Sequence, residues 1–360
     1  MRDPLLSEYG RQSIQPSPVG QMMSAFAADF RDGIDTNLGV GYVNEATIPK
    51  TFIHEAFDEV LAHPDIYRVA LNYGGPEGSP NLIDSIRKFL VRCRVGRLTQ
   101  DVVDRNRIII GANGATSLLD GLAQVMEPGI VVTTDPHYYI YCNFLKRKGF
   151  KLLTIPEEPD GIDIDRLRER LDDLGAHRAD IRFFYIVTVN NPTCAILANR
   201  KRRALIRIAT DLSRELGHRI PVILDTAYEA LIHDPAAEKP RSGLLDDTER
   251  LVYEISTLSK IIAPALRIGY MIGPDDTLMR ALVQRSSDTG FSAPLINQDI
   301  ASFLLDRHAA EQIESVDHGY RRKSRRVQAW LEEFLGDEII ECRGGQAGFY
   351  FYPTFRTVET

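Results

Sequence analysis

The chain has 360 residues, of which 44% are hydrophobic and 26% are charged, a balance typical of a folded globular protein. Its formal net charge of −7 offers no basic face to nucleic acid or to an anionic membrane, so we expect a small soluble ligand and neither of those partners. The four cysteines lie far apart without metal-ligand spacing, and no signal-peptide segment or run of about 18 apolar residues occurs. We therefore expect a cytoplasmic protein with reduced thiols and no metal.

Short apolar segments rich in Val, Ile, Phe and Tyr alternate with segments of helical period along most of the chain. They predict strands at 107–112, 130–136, 151–158, 183–189, 221–225, 251–257 and 268–274. Helices are predicted between most of them, for example in "TSLLDGLAQVM" and "KRRALIRIATDLSREL". Nearly all-apolar strands that alternate with helices predict an α/β fold with a mainly parallel sheet covered on both faces, which makes three layers.

The pattern changes after about residue 290, where a long helical segment is followed by two short strands, "EIIECRG" and "GFYFYP". This change predicts a second, smaller α+β domain. We expect an amino-terminal segment at 1–50, a large domain at 51–290 and a small carboxyl-terminal domain at 291–360.

Polar residues follow several of the predicted strands at the point where each strand ends. They are Asp225 after "PVIL", "NNPT" at 190–193, "GANGATS" at 111–117, and Thr257, Ser259 and Lys260 after "LVYEIS". Each alone has an ordinary structural explanation, as a helix cap or a turn. Because the carboxyl ends of parallel strands meet at one edge of the sheet, together they predict a ligand site there.

Three of these segments, "VTVNNPT", "VILDTAY" and "STLSKIIAPALRIGY", occur in an order that resembles the fold-type I pyridoxal-phosphate enzymes, and most closely the class I and II aminotransferases. The resemblance covers nearly the whole chain. "NLGVGYVNEATIP" at 37–49 is similar to the family's substrate-lid segment, and "LNYGGPEGSPNLIDSI" at 71–86 to its Tyr-Gly-x-x-x-Gly segment. It implies pyridoxal 5′-phosphate as cofactor and transfer of an amino group between an amino acid and a 2-oxo acid.

The resemblance also implies roles for residues around the cofactor ring. Lys260 would hold the cofactor aldehyde as a Schiff base and later move the proton at the substrate Cα. Asp225 would keep the pyridine nitrogen protonated by ion pairing. Asn191 and Tyr228 would donate to the ring's phenolate oxygen, and Tyr138 would stack on the ring.

The cofactor phosphate would be held by three kinds of group. The backbone amides of Ala115 and Thr116 begin a helix, where an anion is favoured. Thr257 and Ser259 add hydroxyls, and Arg267 adds a guanidinium fork.

The family positions also implicate the partner subunit and the substrate. Tyr73 matches a tyrosine that reaches the neighbouring subunit's phosphate group, which implies a homodimer with shared active sites. Val40 and Gly41 match residues that line the substrate.

The chain departs from the family pattern at two places. Cys194 replaces the usual Gly after "NPT", which implies a relaxed turn or some strain, and we interpret it as a small core-facing residue. The sequence ends at Thr360, before the arginine that in the family binds the substrate carboxylate, so we expect an incomplete small domain and an atypical substrate site. Arg343 and Arg356 are not assigned to the site, and His137 is interpreted as structural.

Two alternatives remain open. A lyase or decarboxylase of the same fold would use the same motifs, because they do not fix which bond at Cα reacts. A non-catalytic regulatory domain that binds the cofactor is disfavoured by the negative charge and by the absence of a winged-helix segment before the domain.

Overall fold

The computed structural model describes residues 4–31, 34–36, 38–39 and 41–356. The helices are α1 (Glu8–Gln12), α2 (Pro18–Asp29), α3 (Lys50–Ala62), α4 (Pro80–Arg92), α5 (Gln100–Asp104), α6 (Gly114–Val125), α7 (Tyr139–Arg147), α8 (Ile164–Leu174), α9 (Asn199–Leu216), α10 (Thr277–Asp288) and α11 (Leu295–Leu335). The strands are β1 (Arg107–Ile110), β2 (Ile130–Asp135), β3 (Lys151–Glu158), β4 (Gly161–Ile162), β5 (Ile181–Val187), β6 (Val222–Asp225), β7 (Val252–Thr257), β8 (Gly269–Gly273), β9 (Ile339–Gly344) and β10 (Phe351–Phe355).

Eight strands form one sheet in the order β1-β8-β7-β6-β5-β2-β3-β4. The central strands β7, β6, β5, β2 and β3 pair in parallel, while β8 runs antiparallel to both β7 and β1. The predicted, mainly parallel sheet is therefore confirmed, and all seven predicted strands are present. The two-residue strand β4 was not predicted, because it is too short to show a periodicity.

The sheet is buried on both faces, as the apolar strands predicted. Alternate residues of β5 enter two different hydrophobic clusters: Phe183 and Tyr185 pack on one face, and Phe184 and Ile186 on the other. Burial on both sides fixes the direction of each side chain, because a slip of one residue would exchange the two faces.

A second, two-stranded antiparallel sheet follows the long helix α11 and consists of β9 and β10. It agrees with the predicted small α+β unit, although the division at residue 290 stays a prediction. Among the described residues, no helix is both long enough and apolar enough to cross a lipid bilayer.

The amino-terminal segment contains two helices that the sequence analysis did not predict. Ser7 caps α1 and Ser17 caps α2, each accepting a hydrogen bond from the backbone of the residue three positions on. Neither helix contains a buried residue. These helices therefore contribute little to the core, in contrast with the strands of the large sheet.

Candidate active site

A cavity of about 460 Å³ opens at the carboxyl ends of β5, β6 and β7, a size in the range of small-molecule sites. The predicted site residues that line it are Gly41, Ala115, Thr116, Tyr138, Asn191, Asp225, Tyr228, Thr257, Ser259, Lys260 and Arg267. Tyr73 does not line this cavity, and Val40 lies outside the described residues. The fold thus brings residues from positions 41 to 267 together at one edge of the sheet.

Lys260 lies three residues beyond the end of β7 and is largely buried. Its Nζ atom is 5.1 Å from the centre of the Tyr228 ring and 5.5 Å from that of the Phe349 ring. Burial lowers the pKa of Lys260, the charge of Asp225 opposes this shift, and Arg267 adds to it. A lowered pKa favours the neutral amine, which is the nucleophilic form.

Asp225 is the last residue of β6 and pairs in register with Val187 of β5 and Ile255 of β7. It is only 5% exposed. Its carboxylate accepts a hydrogen bond from Tyr185 Oη at 2.9 Å and one from the Ala227 amide at 3.1 Å. Burial raises the pKa of Asp225, and these two hydrogen bonds and Lys260 oppose the increase. A buried carboxylate that faces a cavity fits a cationic ligand atom, such as a protonated ring nitrogen.

Tyr228 is joined by a second tyrosine that the sequence analysis left out. The hydroxyl of Tyr350 is 3.4 Å from that of Tyr228, and Asn191 also forms a hydrogen bond with Tyr350. A Cβ atom on Gly41 would lie 2.4 Å from Tyr350 Oη, so a larger residue at this position would displace the Tyr350 ring. Tyr350 could have been found from "GFYFYP", in which phenylalanines alternate with tyrosines, because a buried tyrosine hydroxyl usually needs a polar partner.

The start of α6 lies against Arg267. The guanidinium donates from Nε to Asn113 Oδ1 at 2.6 Å and from Nη2 to the Asn113 carbonyl at 3.1 Å. Two glycines make room: a Cβ on Gly114 would meet Arg267 Nη2 at 2.8 Å, and one on Gly269 would meet the Ala115 nitrogen at 2.1 Å. Arg267 itself has a φ of 54°, in the left-handed region. The close approach thus places a guanidinium beside the amides of a helix N-terminus, which suits a phosphate.

Thr257 and Ser259 lie on the same side and are both buried. The Thr257 hydroxyl donates to the Ile268 carbonyl at 2.8 Å and accepts from the Ser259 amide at 3.1 Å. The Ser259 Oγ atom is 2.9 Å from Thr257 Oγ1. The two hydroxyls are therefore held at the cavity wall by contacts within their own turn.

Tyr138 forms the start of α7 and is mostly buried, and its burial raises the pKa of the phenol. Tyr139 and Ile140 line the cavity next to it. The neighbouring His137 does not line the cavity, and burial lowers its pKa. The structure therefore brings Tyr138 into the cavity and leaves His137 outside it, while the stacking of Tyr138 on a cofactor ring stays a prediction.

A buried ion network lies behind the Tyr228 turn. Arg202 of α9 is 1% exposed, donates to Glu229 at 2.5 Å and lies 3.9 Å from Glu254. Ser242 Oγ and the Gly243 amide donate to Glu254 at 2.9 and 2.8 Å. Sequence reasoning missed this network, although the charged Glu254 inside the apolar strand "LVYEIST" was a signal for it.

Cys194 has a φ of 53° and is 3% exposed. The turn is therefore strained and not relaxed. Its Sγ atom occupies space beside Gly348, where an added Cβ would come within 2.6 Å. Burial raises the pKa of the Cys194 thiol to about 11, so the thiol stays protonated near neutral pH. The burial of Cys194 and the protonated state of its thiol agree with a core-facing residue.

The two arginines that were not assigned to the site remain outside it. Arg343 Nη1 donates to the Glu157 carbonyl at 3.2 Å and lies 3.4 Å from Glu157 Oε2, which commits its charge to that carboxylate. Arg356 is exposed at the end of the described chain. Neither lines the cavity.

Tyr73 is 83% exposed, and its ring contacts Phe291 at a centroid distance of 6.1 Å. It lies outside the cavity of its own chain, so any contribution to an active site has to be made in another subunit.

Residues from both ends of the chain complete the cavity. They are Val19, Met22 and Met23 of α2, Leu38, Gly39 and Tyr42 after it, and Tyr350 and Phe351 near the carboxyl end. Sequence reasoning missed those of α2. Ser17 followed by Pro18 is a signal for a helix start that could have placed them.

The polar groups of this cavity fit pyridoxal phosphate. A buried amine, a buried carboxylate and a guanidinium at a helix N-terminus match the aldehyde, the ring nitrogen and the phosphate of that cofactor. No group of three or more His, Cys, Asp or Glu side chains that could hold a metal ion occurs among the residues that the structure describes.

Comparisons with known proteins agree with this geometry. The sequence model for "Aminotransferase class I and II" matches residues 36–359. The 2-aminoadipate transaminase of Thermus thermophilus is 26% identical over 337 residues, which cover 93% of this chain and 78% of that protein. A crystal structure of Pyrococcus horikoshii kynurenine aminotransferase aligns with a TM-score of 0.84 at 23% identity, over 96% of this chain and 81% of that one. This last similarity establishes the shared fold.

A relative of another kind is the uncharacterized HTH-type transcriptional regulator YisV of Bacillus subtilis. It is 23% identical over 319 residues, which cover 88% of this chain. The same alignment covers 61% of the regulator, so this chain spans less than two thirds of that protein's length.

Proposed function

Because the chain belongs to the aminotransferase class I and II family, as the motifs predicted, we propose that it is a pyridoxal-phosphate-dependent aminotransferase. Its substrates would be an amino acid and a 2-oxo acid. The observation that carries the proposal is the convergence of Lys260, Asp225 and Arg267 on one cavity at the carboxyl edge of the sheet. These three groups come from different strand ends, and each has the chemistry that one part of the cofactor needs.

Pyridoxal phosphate, when bound, supplies an aldehyde for the substrate amine and a ring that withdraws electrons from the substrate Cα. Lys260 would attach to the aldehyde and, once released, would carry the proton away from Cα and return it, because its lowered pKa leaves the amine free to accept a proton. Asp225 would stabilise the protonated ring nitrogen. The buried position of both groups strengthens their interaction, since the low dielectric screens charges weakly.

The remaining predicted residues would hold the cofactor in place. Tyr228 and Asn191 would donate to the ring oxygen, and Tyr138 would form the wall against which the ring packs. Arg267, with Thr257, Ser259 and the amides of Ala115 and Thr116, would bind the phosphate through charge-assisted hydrogen bonds. Gly41 would leave room for the substrate beside Tyr350.

The attachment of the cofactor can be tested directly. Purified protein reconstituted with pyridoxal phosphate is reduced with borohydride, digested and analysed by mass spectrometry. The label is expected on the peptide that contains Lys260, and a label on any other lysine would overturn the assignment. Amino-group transfer is then scored by the change in cofactor absorbance when single amino acids are added.

The homodimer is part of the same proposal, supported by the exposure of Tyr73. Lys260→Ala and Tyr73→Ala are each expected to lower activity strongly. Mixed dimers should regain activity, because one of their two sites would carry both defects and the other neither. No recovery after demonstrated subunit exchange would show that Tyr73 does not serve the partner's site.

The similarity to YisV favours one second candidate, a cofactor-binding domain of a transcriptional regulator. Both candidates expect a covalent cofactor at Lys260, so the borohydride experiment does not separate them. They differ in the second half of the reaction. Repeated turnover with an amino acid and a 2-oxo acid supports the aminotransferase, whereas cofactor binding without turnover supports the regulatory domain.

A further inference from the structure

We infer that the amino acid bound in this cavity has a neutral side chain that is apolar or aromatic. The inference rests on the proposed aminotransferase function and assigns the side-chain class of its substrate. It follows from the lining residues that are not assigned to the cofactor, and from the lack of a charged side chain among those of them that the structure describes.

The wall is formed largely by apolar and aromatic side chains. Six of them carry the argument: Val19, Met22, Met23, Tyr42, Ile140 and Phe351. They come from α2 and the segment after it, from α7 and from β10. A wall of this composition binds apolar surface by removing it from water.

The cationic side chains among the described lining residues are Lys260 and Arg267. Lys260 serves the reaction itself, and the guanidinium of Arg267 lies at the start of α6, bonded to Asn113 and to the Pro264 carbonyl. A substrate side chain that carried a carboxylate would therefore need a cation from a neighbouring segment.

Two cations in described segments next to this wall already have carboxylate partners. Arg31, which follows α2, is exposed and bonded twice to Asp35, at 3.0 and 2.7 Å. Arg343, close to β10 in sequence, is paired with Glu157. A side-chain carboxylate against this wall would gain no charge partner from either arginine, whereas an apolar side chain is stabilised there by its removal from water.

The same reasoning applies to a cationic side chain. Asp225 is the acidic residue among the described lining residues, and it accepts hydrogen bonds from Tyr185 and Ala227 at the cofactor side of the cavity. Its charge is required for the ring nitrogen. An added ammonium group would compete for that charge, so a neutral side chain is favoured over both charged classes.

Methionines give this wall the ability to adapt to side chains of different shape, because they are unbranched and polarisable. Met22 packs on Gly39, where an added Cβ would lie 2.6 Å from the Met22 sulfur. Phe26, one turn further along α2, contacts Phe30 and Tyr42 at ring-centre distances of 4.4 and 4.9 Å. The aromatic contacts hold α2 at the cavity while the methionines face it.

The test measures binding of carboxylates that lack an α-amine and so cannot be converted. Holoenzyme is titrated with 3-phenylpropionate, 4-methylpentanoate, glutarate and 5-(trimethylammonio)pentanoate, whose quaternary ammonium cannot react with an aldehyde, and Kd is read from the absorbance of the bound cofactor. The first two are expected to bind at least about tenfold more tightly than the two analogues with a charged side chain. Binding of either charged analogue as tightly as 3-phenylpropionate, or no binding of the apolar pair, would overturn the inference.

A charge introduced into the wall locates the side-chain site. Met22→Arg is expected to shift the ratio of the glutarate and 3-phenylpropionate affinities at least about tenfold toward glutarate. Ala28→Arg is the matched control, since helical period turns this exposed residue away from Met22 and Met23. Because α2 contains no buried residue, both variants should fold, and thermal unfolding checks this. Equal shifts in the two variants would contradict the inference.

Failure of the side-chain inference can be distinguished from failure of the aminotransferase proposal. If the analogues rank as expected but no amino acid changes the cofactor absorbance, the aminotransferase proposal fails while the assignment of the side-chain pocket stands. If turnover occurs and glutamate is preferred over phenylalanine and leucine, the aminotransferase proposal stands and the side-chain inference fails.

Discussion

The two ends of the cavity are built in different ways. At the cofactor end, Asp225 lies inside the sheet and Arg267 is fixed by hydrogen bonds to Asn113. At the substrate end, the wall is formed in part by α2, a helix without a buried residue that touches the molecule through a few aromatic and methionine side chains. The proposed chemistry thus belongs to the most buried part of the chain and the proposed selectivity to the least buried part.

This difference has a functional reason. Proton transfer and cofactor binding require groups held within fractions of an ångström, which only packed elements achieve. Recognition of an apolar side chain depends on removal of water and tolerates variation in the wall. Substitutions in α2 should therefore change which substrate binds, while substitutions at the strand ends should change whether the reaction occurs.

The largest effect is expected at the cofactor end from Lys260→Ala. Loss of a proton-transfer group alone costs roughly 10²–10⁴-fold in rate, and loss of covalent attachment adds to this. Turnover should fall by at least about 10⁴-fold, while the far-ultraviolet circular dichroism stays unchanged. Lys260→Arg is the companion variant, because it keeps a cation but not the nucleophilic amine, and it should be equally inactive. Substantial activity in either variant would mean that another amine does the chemistry.

The second-largest loss of activity is expected from Asp225→Asn, since this substitution keeps the shape of the side chain and removes its charge. Breaking a buried charge pair costs about 3–5 kcal/mol, which corresponds to at least about a 100-fold loss in kcat. Tyr185→Phe is the matched variant: it removes one hydrogen bond to the same carboxylate but leaves the charge, so a loss of about tenfold or less is expected. Steady-state kinetics of both variants check this order. Equal losses would mean that the hydrogen bond, and not the charge, is what matters.

The rigidity of the cofactor end can be tested by measuring how much the buried Arg202 network contributes to the free energy of unfolding. Arg202→Met leaves Glu229 and Glu254 buried without their cation and should lower the free energy of unfolding by about 3–5 kcal/mol. Arg203→Met, at the exposed neighbouring position of α9, should change it by less than about 0.5 kcal/mol. Urea unfolding of both variants provides the measurement. A small effect of Arg202→Met would show that the network contributes little to the rigidity of the Tyr228 turn.

The two ends of the cavity differ in how clearly the sequence marks them. Asp225, Thr257 and Lys260 follow predicted strands, where apolar periodicity stops and polar residues stand out, and this pattern predicted a ligand site. Their individual roles, and the assignment of Arg267, came from the resemblance to the aminotransferase family.

The substrate end has no comparable signal. Met22 belongs to a helix whose apolar residues are only partly buried, so its pattern is weak, and Tyr350 comes from a segment more than 300 residues away along the chain. Their proximity depends on how α2 and β10 pack against the sheet. Arg202 was missed for a related reason: charged residues in a helix are usually solvated, and burial of this one depends on two distant glutamates.

The raised pKa of Glu254 in the same network predicts how the free energy of unfolding depends on pH. Burial, reinforced by the charge of Glu229, raises the pKa of Glu254 from 4.5 to about 7, and Arg202 opposes the increase. A carboxyl with a raised pKa in the folded state holds its proton after the unfolded chain has lost it. Its contribution to stability is therefore complete below pH 4.5 and is lost as the pH rises through about 7.

Glu254→Gln keeps an acceptor for Ser242 and removes the titration. The free energy of unfolding of the parent protein should decline across this window relative to the variant, by an amount on the order of 3 kcal/mol. Urea unfolding at a series of pH values from 4 to 8 measures the difference. Parallel curves for the two proteins would show that Glu254 titrates at its ordinary pKa.

A small effect on stability is expected at the substrate end, from Phe26→Ala. This residue is half-buried and contacts Phe30 and Tyr42, so its removal should lower the free energy of unfolding by about 1 kcal/mol or less. Phe183→Ala, in the buried face of β5, is the reference variant and should cost about 3–5 kcal/mol.

Binding should show the opposite order, provided Phe183→Ala still folds at the temperature of the measurement. Phe26→Ala loosens the contact between α2 and Tyr42 and is expected to weaken 3-phenylpropionate several-fold, whereas Phe183→Ala leaves the cavity wall intact and should change this affinity little. Because the two effects are measured on the same pair of variants, they separate the part of the chain that maintains the fold from the part that selects the ligand. If Phe26→Ala lost several kcal/mol of stability and bound 3-phenylpropionate normally, α2 would belong to the core of the protein, and the contrast between the two ends of the cavity would be wrong.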